Sequence, residues 1–416
     1  MTADVIIIGG GIVGLSIAMQ LTERFPNLSV TVVEKESCVA AHQTGHNSGV
    51  IHAGVYYTPG SLKAQFCREG SAATYSFCHE HSLPVEQCGK LIVATNDVES
   101  SRLKNILTRC LQNGLDAKWI DGIELSRIEP RIVGRYGILV RTSGIADYPT
   151  IARTMARIFE ARSGEILLKH RVIGMREESD GIIVETEKRT LRARFAIVCG
   201  GLMADRLAQM CGLNIDFRIV PFRGEYFRLP DAKNEIVNHL IYPVADPDLP
   251  FLGVHLTRMI GGYVTVGPNA VLAMAREGYR WRDVSRRDLW EMAVFPGMRK
   301  LLRQHSQFAG RELLNSIFRR GFLRECRKYC PELNLDDLQP YPAGVRAQAV
   351  KADGTMVHDF LVLRGRRSLH VCNAPSPAAT AALPIGRYIV DECTDAFNLA
   401  ASVSSPGRFH LVKNTS

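Results

Sequence analysis

The sequence has no C-x-x-C pair, and its eleven cysteines are an odd number scattered along 416 residues. That excludes a zinc ribbon and argues against a disulfide framework, so a reducing cytosolic compartment is expected. Cys326 and Cys330 share one face of a helical stretch, but core packing is the simpler account of that spacing and no role is assigned to them. No apolar run approaches the roughly 20 residues that a spanning helix needs. The longest, such as residues 195–204, fall far short. Residues 5–8 lead into glycines rather than into a signal-peptide core, so neither export nor a membrane span is expected. Repeats and low-complexity tracts are also absent. With 46% hydrophobic and 22% charged residues, this is the composition of a globular chain, long enough for two to three domains. Aromatic residues are sparse, at 7% with three Trp. That weakens a nucleic-acid reading of the net charge of +9, because Tyr279, Trp281 and Trp290 are few for base stacking. The charge is local: residues 270–330 hold 14 Lys or Arg against 6 Asp or Glu.

What the chain does have begins at residue 4. Residues 4–8 have the pattern of a buried parallel strand, with 5–8 a continuous β-branched run. Gly9-Gly10-Gly11-Ile12-Val13-Gly14 follows and opens a helix with apolar positions at Leu15, Ala18, Met19 and Leu21. In G-x-G-x-x-G, Gly9 permits the turn, Gly11 lets the backbone approach a pyrophosphate, and Gly14 lets helix and strand pack closely. The helix N-terminus adds free N–H groups for the phosphates. A second strand over residues 29–33 ends at Glu34, 20 positions beyond Gly14, where an acid that binds ribose belongs. No second G-x-G-x-x-G occurs. A chain with one such site either uses a soluble nicotinamide or holds a flavin.

Further on, residues 172–175 and 182–187 read as a strand pair, and residues 195–199 as a buried strand ending at Gly200 and Gly201. Alternating stretches such as 224–229 and 263–266 predict an antiparallel sheet with one ligand-facing or solvated side. The run His46-Asn47-Ser48-Gly49-Val50-Ile51-His52-Ala53-Gly54 is either a ligand cradle or an ordinary polar loop. Asn373-Ala374-Pro375-Ser376-Pro377-Ala378-Ala379-Thr380 lies between a strand and a helix, and offers an anion or carbonyl-oxygen cradle at a proline-rich helix start.

These pieces resemble the D-amino-acid-oxidase-like flavoproteins and, within them, the L-2-hydroxyglutarate dehydrogenase/oxidase family, with the bacterial quinone-linked members most similar. The resemblance runs through residues 42–64, 220–229, 250–258, 266–273, 341–349 and 373–386, with small departures in 275–335 and the tail. It implies an α/β fold (α+β overall): a Rossmann-like FAD-binding domain with a second, antiparallel-sheet substrate domain. The implied boundaries are 1–85, 145–215 and 335–395 for the discontinuous FAD domain, 86–144 and 216–334 for the substrate domain, and 396–416 for a C-terminal tail.

The resemblance also implies FAD on Gly9, Gly11, Gly14, Glu34, Lys35, Thr44, His46, Asn47, Ser48, Gly49, Val172, Gly200, Gly201, Asn373, Ala374, Pro375, Ser376, Ala378, Ala379 and Thr380. It implies oxidation of L-2-hydroxyglutarate to 2-oxoglutarate by hydride transfer to flavin N5, with electrons passed to a membrane quinone. An amino-acid or imino-acid oxidase is the alternative within the same fold. Arg346 matches the fold's carboxylate-binding arginine, and Arg223, Lys63, Tyr57 and Thr257 are candidates for the second carboxylate. His52 and His255 are the candidate bases, since a neutral imidazole accepts a proton near neutrality. His42 and His46 have ligand spacing, but Gly45 between them argues against a helix and no metal is expected. Finally, Leu314, Ile317, Phe318 and Phe322 form an apolar stripe, and Arg320, Arg324, Arg327 and Lys328 a cationic one, on a predicted helix. Such a helix either packs on the core or lies on an anionic bilayer. With quinone as acceptor, the second reading places the protein peripherally on the cytoplasmic face of the inner membrane.

Overall fold

The computed structural model describes residues 2–246, 253–397 and 399. Most of the expected tail and residues 250–252 of the 250–258 motif lie outside them.

Strand Thr2–Ile8 is central to an eight-stranded sheet, paired in parallel with Val30–Val33 on one side and Thr190–Val198 on the other. Its β-branched residues are buried on both faces. Val5 and Ile7 pack with Ile17, Ala18 and Leu21 of helix Ile12–Arg24 and with Ile385 and Ile389 of helix Ala382–Phe397. Ile6 and Ile8 pack instead with Met175, Ile182, Val184 and Leu207. Each such side chain contributes about 1.5–3 kcal/mol of burial, which is why residues 5–8 carry no polar side chain. Strands Glu165–Leu167 and Ser368–Asn373 extend the parallel part. Val172–Glu177, Ile182–Thr186 and Leu361–Arg364 join it as antiparallel pairs.

A nine-stranded sheet forms the second layer, in the order Val271–Leu272, Phe217–Arg228, Val264–Gly267, His255–Arg258, Leu240–Pro243, Lys90–Ala94, Tyr136–Val140, Ala117–Asp121. It is antiparallel except where Leu240–Pro243 meets Lys90–Ala94, the seam between its two sequence segments. The ninth strand, Gln339–Lys351, corrects an expectation. It falls in the range assigned to the first domain, yet it pairs along Phe217–Arg228, setting Arg346 opposite Phe222 and Gly344 opposite Gly224. No helix among the described residues is long and apolar enough to cross a membrane.

The helix predicted around residues 314–328 is two, Ser306–Ile317 and Arg319–Arg327, interrupted at Phe318. Its stripe divides accordingly. Phe322 is buried edge-on to Phe227, whereas Leu314, Ile317 and Phe318 are 58%, 56% and 61% exposed. Of the cationic set, Arg320 and Arg324 face solvent, Lys328 pairs with Glu325, and Arg327 Nε donates to the Pro331 carbonyl. Part of the local charge surplus is internal as well: Arg276 is buried against Asp205.

Candidate functional site

Residues from both large sheets enclose a cavity of about 1270 Å³. Its first end is the turn after Thr2–Ile8. Gly9 has φ of +111°, and a Cβ there would sit 2.3 Å from the Cys199 carbonyl oxygen. A Cβ on Gly14 would meet the Gly9 carbonyl oxygen at 2.1 Å, so helix and strand touch only because both are glycine. Helix Ile12–Arg24 starts from Gly11 with no side-chain cap. Its first N–H groups are thus available to an anion, apart from that of Ile12, which donates to Thr44 Oγ1 at 3.0 Å. Buried Glu34 accepts from the Gly10 N–H at 2.7 Å and from the Glu36 N–H at 2.9 Å. Its remaining lone pairs can take ribose hydroxyls. These are the donors and the acid that an adenine dinucleotide needs, and FAD fits this cradle.

Lys35, Thr44, His46, Asn47, Ser48, Val172, Gly200, Gly201, Asn373, Ala374, Pro375, Ser376, Ala378, Ala379 and Thr380 all line the same cavity. Gly49 does not: it shapes the loop behind, its N–H donating to Asn47 Oδ1 at 2.8 Å. The Lys35 ammonium is committed to Glu36 and to Glu277, at 2.7 Å from the latter, and touches His42 Nε2. Glu36, His42 and Glu277 present ligand atoms within 4.8 Å of one another, with that ammonium bound to all three. His42 and His46 both stack on Tyr279.

The cradle loops are pinned to each other. His52 N–H donates to Thr380 Oγ1 at 3.2 Å, and the Tyr148 hydroxyl meets the same oxygen at 2.9 Å. This fixes His52 in the cavity wall, which His255, Arg346, Tyr57 and Lys63 also line. Burial, then the charges of Lys90, His255 and Lys63, push the His52 imidazole well below its ordinary range. Burial, with Lys90 and Arg346 adding to it, takes His255 down to about 3. His255 Nδ1 lies 3.2 Å from the Gly253 carbonyl. A carbonyl only accepts, so Nδ1 carries the hydrogen and Nε2 keeps its lone pair. Both imidazoles are therefore neutral at physiological pH and fit to accept a proton. Arg346 Nη1 donates to the Asn269 carbonyl at 3.1 Å, and Lys63 stands 4.7 Å from the centre of the Tyr57 ring.

Two expected substrate residues are not in the cavity. Because Phe222 faces Arg346, Arg223 points to the opposite face of the sheet. There it pairs with Glu225 at 3.0 Å and stacks on Trp281 at 4.3 Å. Thr257 is wholly buried opposite Thr265, one step along the strand from the cavity wall. Sequence reasoning missed Tyr56, Tyr226 and Tyr242, all of which line the cavity, and Lys90 behind the Tyr242 ring. A charged residue opening the apolar run 90–94 was the available signal.

Residues 4–392 match the family described as FAD dependent oxidoreductase (DAO). The chain is 53% identical to the L-2-hydroxyglutarate dehydrogenase of Escherichia coli (strain K12) over 406 residues, covering 97% of this chain and 96% of that protein. It is 41% identical to the mitochondrial L-2-hydroxyglutarate dehydrogenase of Homo sapiens over 414 residues, covering 95% and 89%. Among solved structures, L-alpha-glycerophosphate oxidase from Mycoplasma pneumoniae with FAD bound superposes with a TM-score of 0.76 at 23% identity, covering 96% and 95%. Glycine oxidase from Geobacillus kaustophilus does so at 0.72 and 17%, covering 94% of each chain. At these identities the two structures speak to the fold alone.

Proposed function

This chain belongs to the DAO family of FAD-dependent oxidoreductases and, within it, to the family of the L-2-hydroxyglutarate dehydrogenases, and from that premise we propose that it oxidises L-2-hydroxyglutarate to 2-oxoglutarate. The observation that carries the proposal is the grouping of a half-buried guanidinium, Arg346, with two imidazoles held neutral, His52 and His255, in the wall of the cavity that holds the dinucleotide cradle. FAD, when bound, would supply the two-electron acceptor for the C2 hydrogen, with flavin N5 as the expected hydride acceptor. The protein's own residues do the rest. Gly9, Gly11, Gly14 and Glu34 hold the dinucleotide, and the 44–48 and 373–380 loops hold the flavin side. Arg346 grips one substrate carboxylate through two parallel bonds, which fixes the C2 face presented. Lys63 and Tyr57 are outer donors for the other carboxylate. His52 takes the hydroxyl proton, and His255 offers Nε2 beside it.

Electrons then pass to a membrane quinone, with the protein held peripherally on the cytoplasmic face of the inner membrane. Exposed Leu313, Leu314, Ile317 and Phe318, flanked by Arg320 and Arg324, support that reading, because such a patch suits an anionic bilayer surface. The test uses holoenzyme, L-2-hydroxyglutarate and quinone-loaded vesicles. The expected result is 2-oxoglutarate formed together with quinol, faster on anionic than on neutral vesicles, with that preference weakened by added salt and by R320Q/R324Q. Turnover that ignores vesicle charge and both replacements would remove the membrane site. Ammonium released from amino acids, with 2-hydroxyglutarate inert, would replace the reaction itself.

A further inference from the structure

Behind the imidazoles lies a cation that the reaction as described does not use. Lys90 opens strand Lys90–Ala94 and is 1% exposed. Its ammonium has no ion-pair or hydrogen-bond partner among the described residues, and stands 4.0 Å from the centre of the Tyr242 ring. The register explains the placement. Lys90 is paired with Leu240, and Ile92 with Tyr242, so Lys90 and Tyr242 share a face one step apart. On its other side Tyr242 stacks across to His255, ring centres 4.0 Å apart.

The titratable neighbours of Lys90 do not neutralise it. Burial pushes the thiols of Cys67, Cys88 and Cys110 up to about 12, 11 and 11, so all three stay protonated. His52 and His255 are held in the neutral form. Burial brings Lys90 itself down to about 8. An uncompensated buried cation is costly, and an anion delivered beside it relieves the cost. Beside Tyr242, whose ring Lys90 covers, lies Tyr56. Tyr242, itself 1% exposed, and Tyr56 both line the cavity, and neither buried hydroxyl has a hydrogen-bond partner among the described residues. Tyr56 is held by its neighbours: Arg109 Nη1 donates to its carbonyl at 3.1 Å. Arg346 accounts for one carboxylate, and Lys63, which also donates to the His358 carbonyl at 3.3 Å, stands with Tyr57 as an outer donor for the other.

We propose that the hydroxyls of Tyr56 and Tyr242, with Lys90 behind the Tyr242 ring as a positioning residue, form the subsite for the distal carboxylate and so select a five-carbon dicarboxylate over a monocarboxylate. The inference rests on the 2-hydroxy-acid reading above and deepens it. Tyr242 and Tyr56 donate O–H to the carboxylate oxygens, while Lys90, against the Tyr242 ring, holds that ring and supplies the compensating charge.

The experiment needs no turnover. Holoenzyme is titrated with glutarate and, separately, with butyrate, following the perturbation of the flavin absorption band. Wild type should prefer glutarate. Y242F and Y56F, which remove only an oxygen, and K90M, which keeps the volume, should each weaken glutarate binding about 10- to 100-fold while leaving butyrate within about 2-fold. Retained flavin absorbance and butyrate affinity certify the fold; if K90M fails to hold FAD, the two phenylalanine variants decide. An unchanged glutarate-to-butyrate ratio in those variants, an equal loss for both ligands, or a selective loss confined to Lys63→Met would overturn the subsite. A wild-type flavin that L-2-hydroxyglutarate does not reduce would defeat the reaction instead, leaving the ratio to be judged separately.

Discussion

Replacing Arg346 by Lys should lower kcat/KM for L-2-hydroxyglutarate about 10²- to 10³-fold, chiefly through KM, with FAD content unchanged. The guanidinium is placed by strand pairing together with its Nη1 bond to the Asn269 carbonyl: strand Gln339–Lys351 is bonded along Phe217–Arg228, which sets Arg346 opposite Phe222. Burial already pulls its pKa downward. An ammonium at the same position would present a single point charge in place of a planar fork, and would lose part of that charge to desolvation. The dinucleotide cradle is built from other elements, so the cofactor should stay. Steady-state kinetics and flavin absorbance on one preparation check both halves. Near-normal kinetics would take the carboxylate away from Arg346, and loss of FAD would make it a structural residue.

His52→Ala should slow flavin reduction about 10²- to 10⁴-fold, the usual contribution of a positioned base, again with FAD bound. The pH profile adds a sharper check. Burial lowers both His52 and His255, so each imidazole stays unprotonated well below pH 6.5. The acid limb of kcat/KM, which reports the free enzyme, should therefore lie well below pH 6.5, and a limb at the ordinary imidazole value would contradict this assignment. Stability follows the same sign. The unfolded chain takes up the protons first, so the contribution of His255 is complete above pH 6.5 and is lost as pH falls from there towards about 3.

The dinucleotide half of the site is local in sequence, which is why it could be read there. Gly9, Gly11, Gly14 and Glu34 lie within one strand, helix and strand, and their spacing carries the geometry. The substrate half is assembled by pairing between distant strands, and no local pattern reports register. Arg223 and Arg346 look alike as candidates in sequence, and only the pairing of Phe222 with Arg346 sends Arg223 to the other face. Tyr242 and Lys90 meet across a parallel seam joining segments about 150 residues apart, so neither stood out. The paired helices Ser306–Ile317 and Arg319–Arg327 keep a helical period through Phe318, and the turn of the chain there, which buries Phe322 against Phe227, is a tertiary effect.

The central claim is that this cavity oxidises a 2-hydroxy dicarboxylate using its own bound FAD. Anaerobic titration of the purified holoenzyme with L-2-hydroxyglutarate tests it directly. The account predicts loss of the visible flavin absorption with one 2-oxoglutarate formed per FAD and no need for NAD. An unchanged flavin spectrum at saturating substrate, or product formed only when NAD is added, would contradict it.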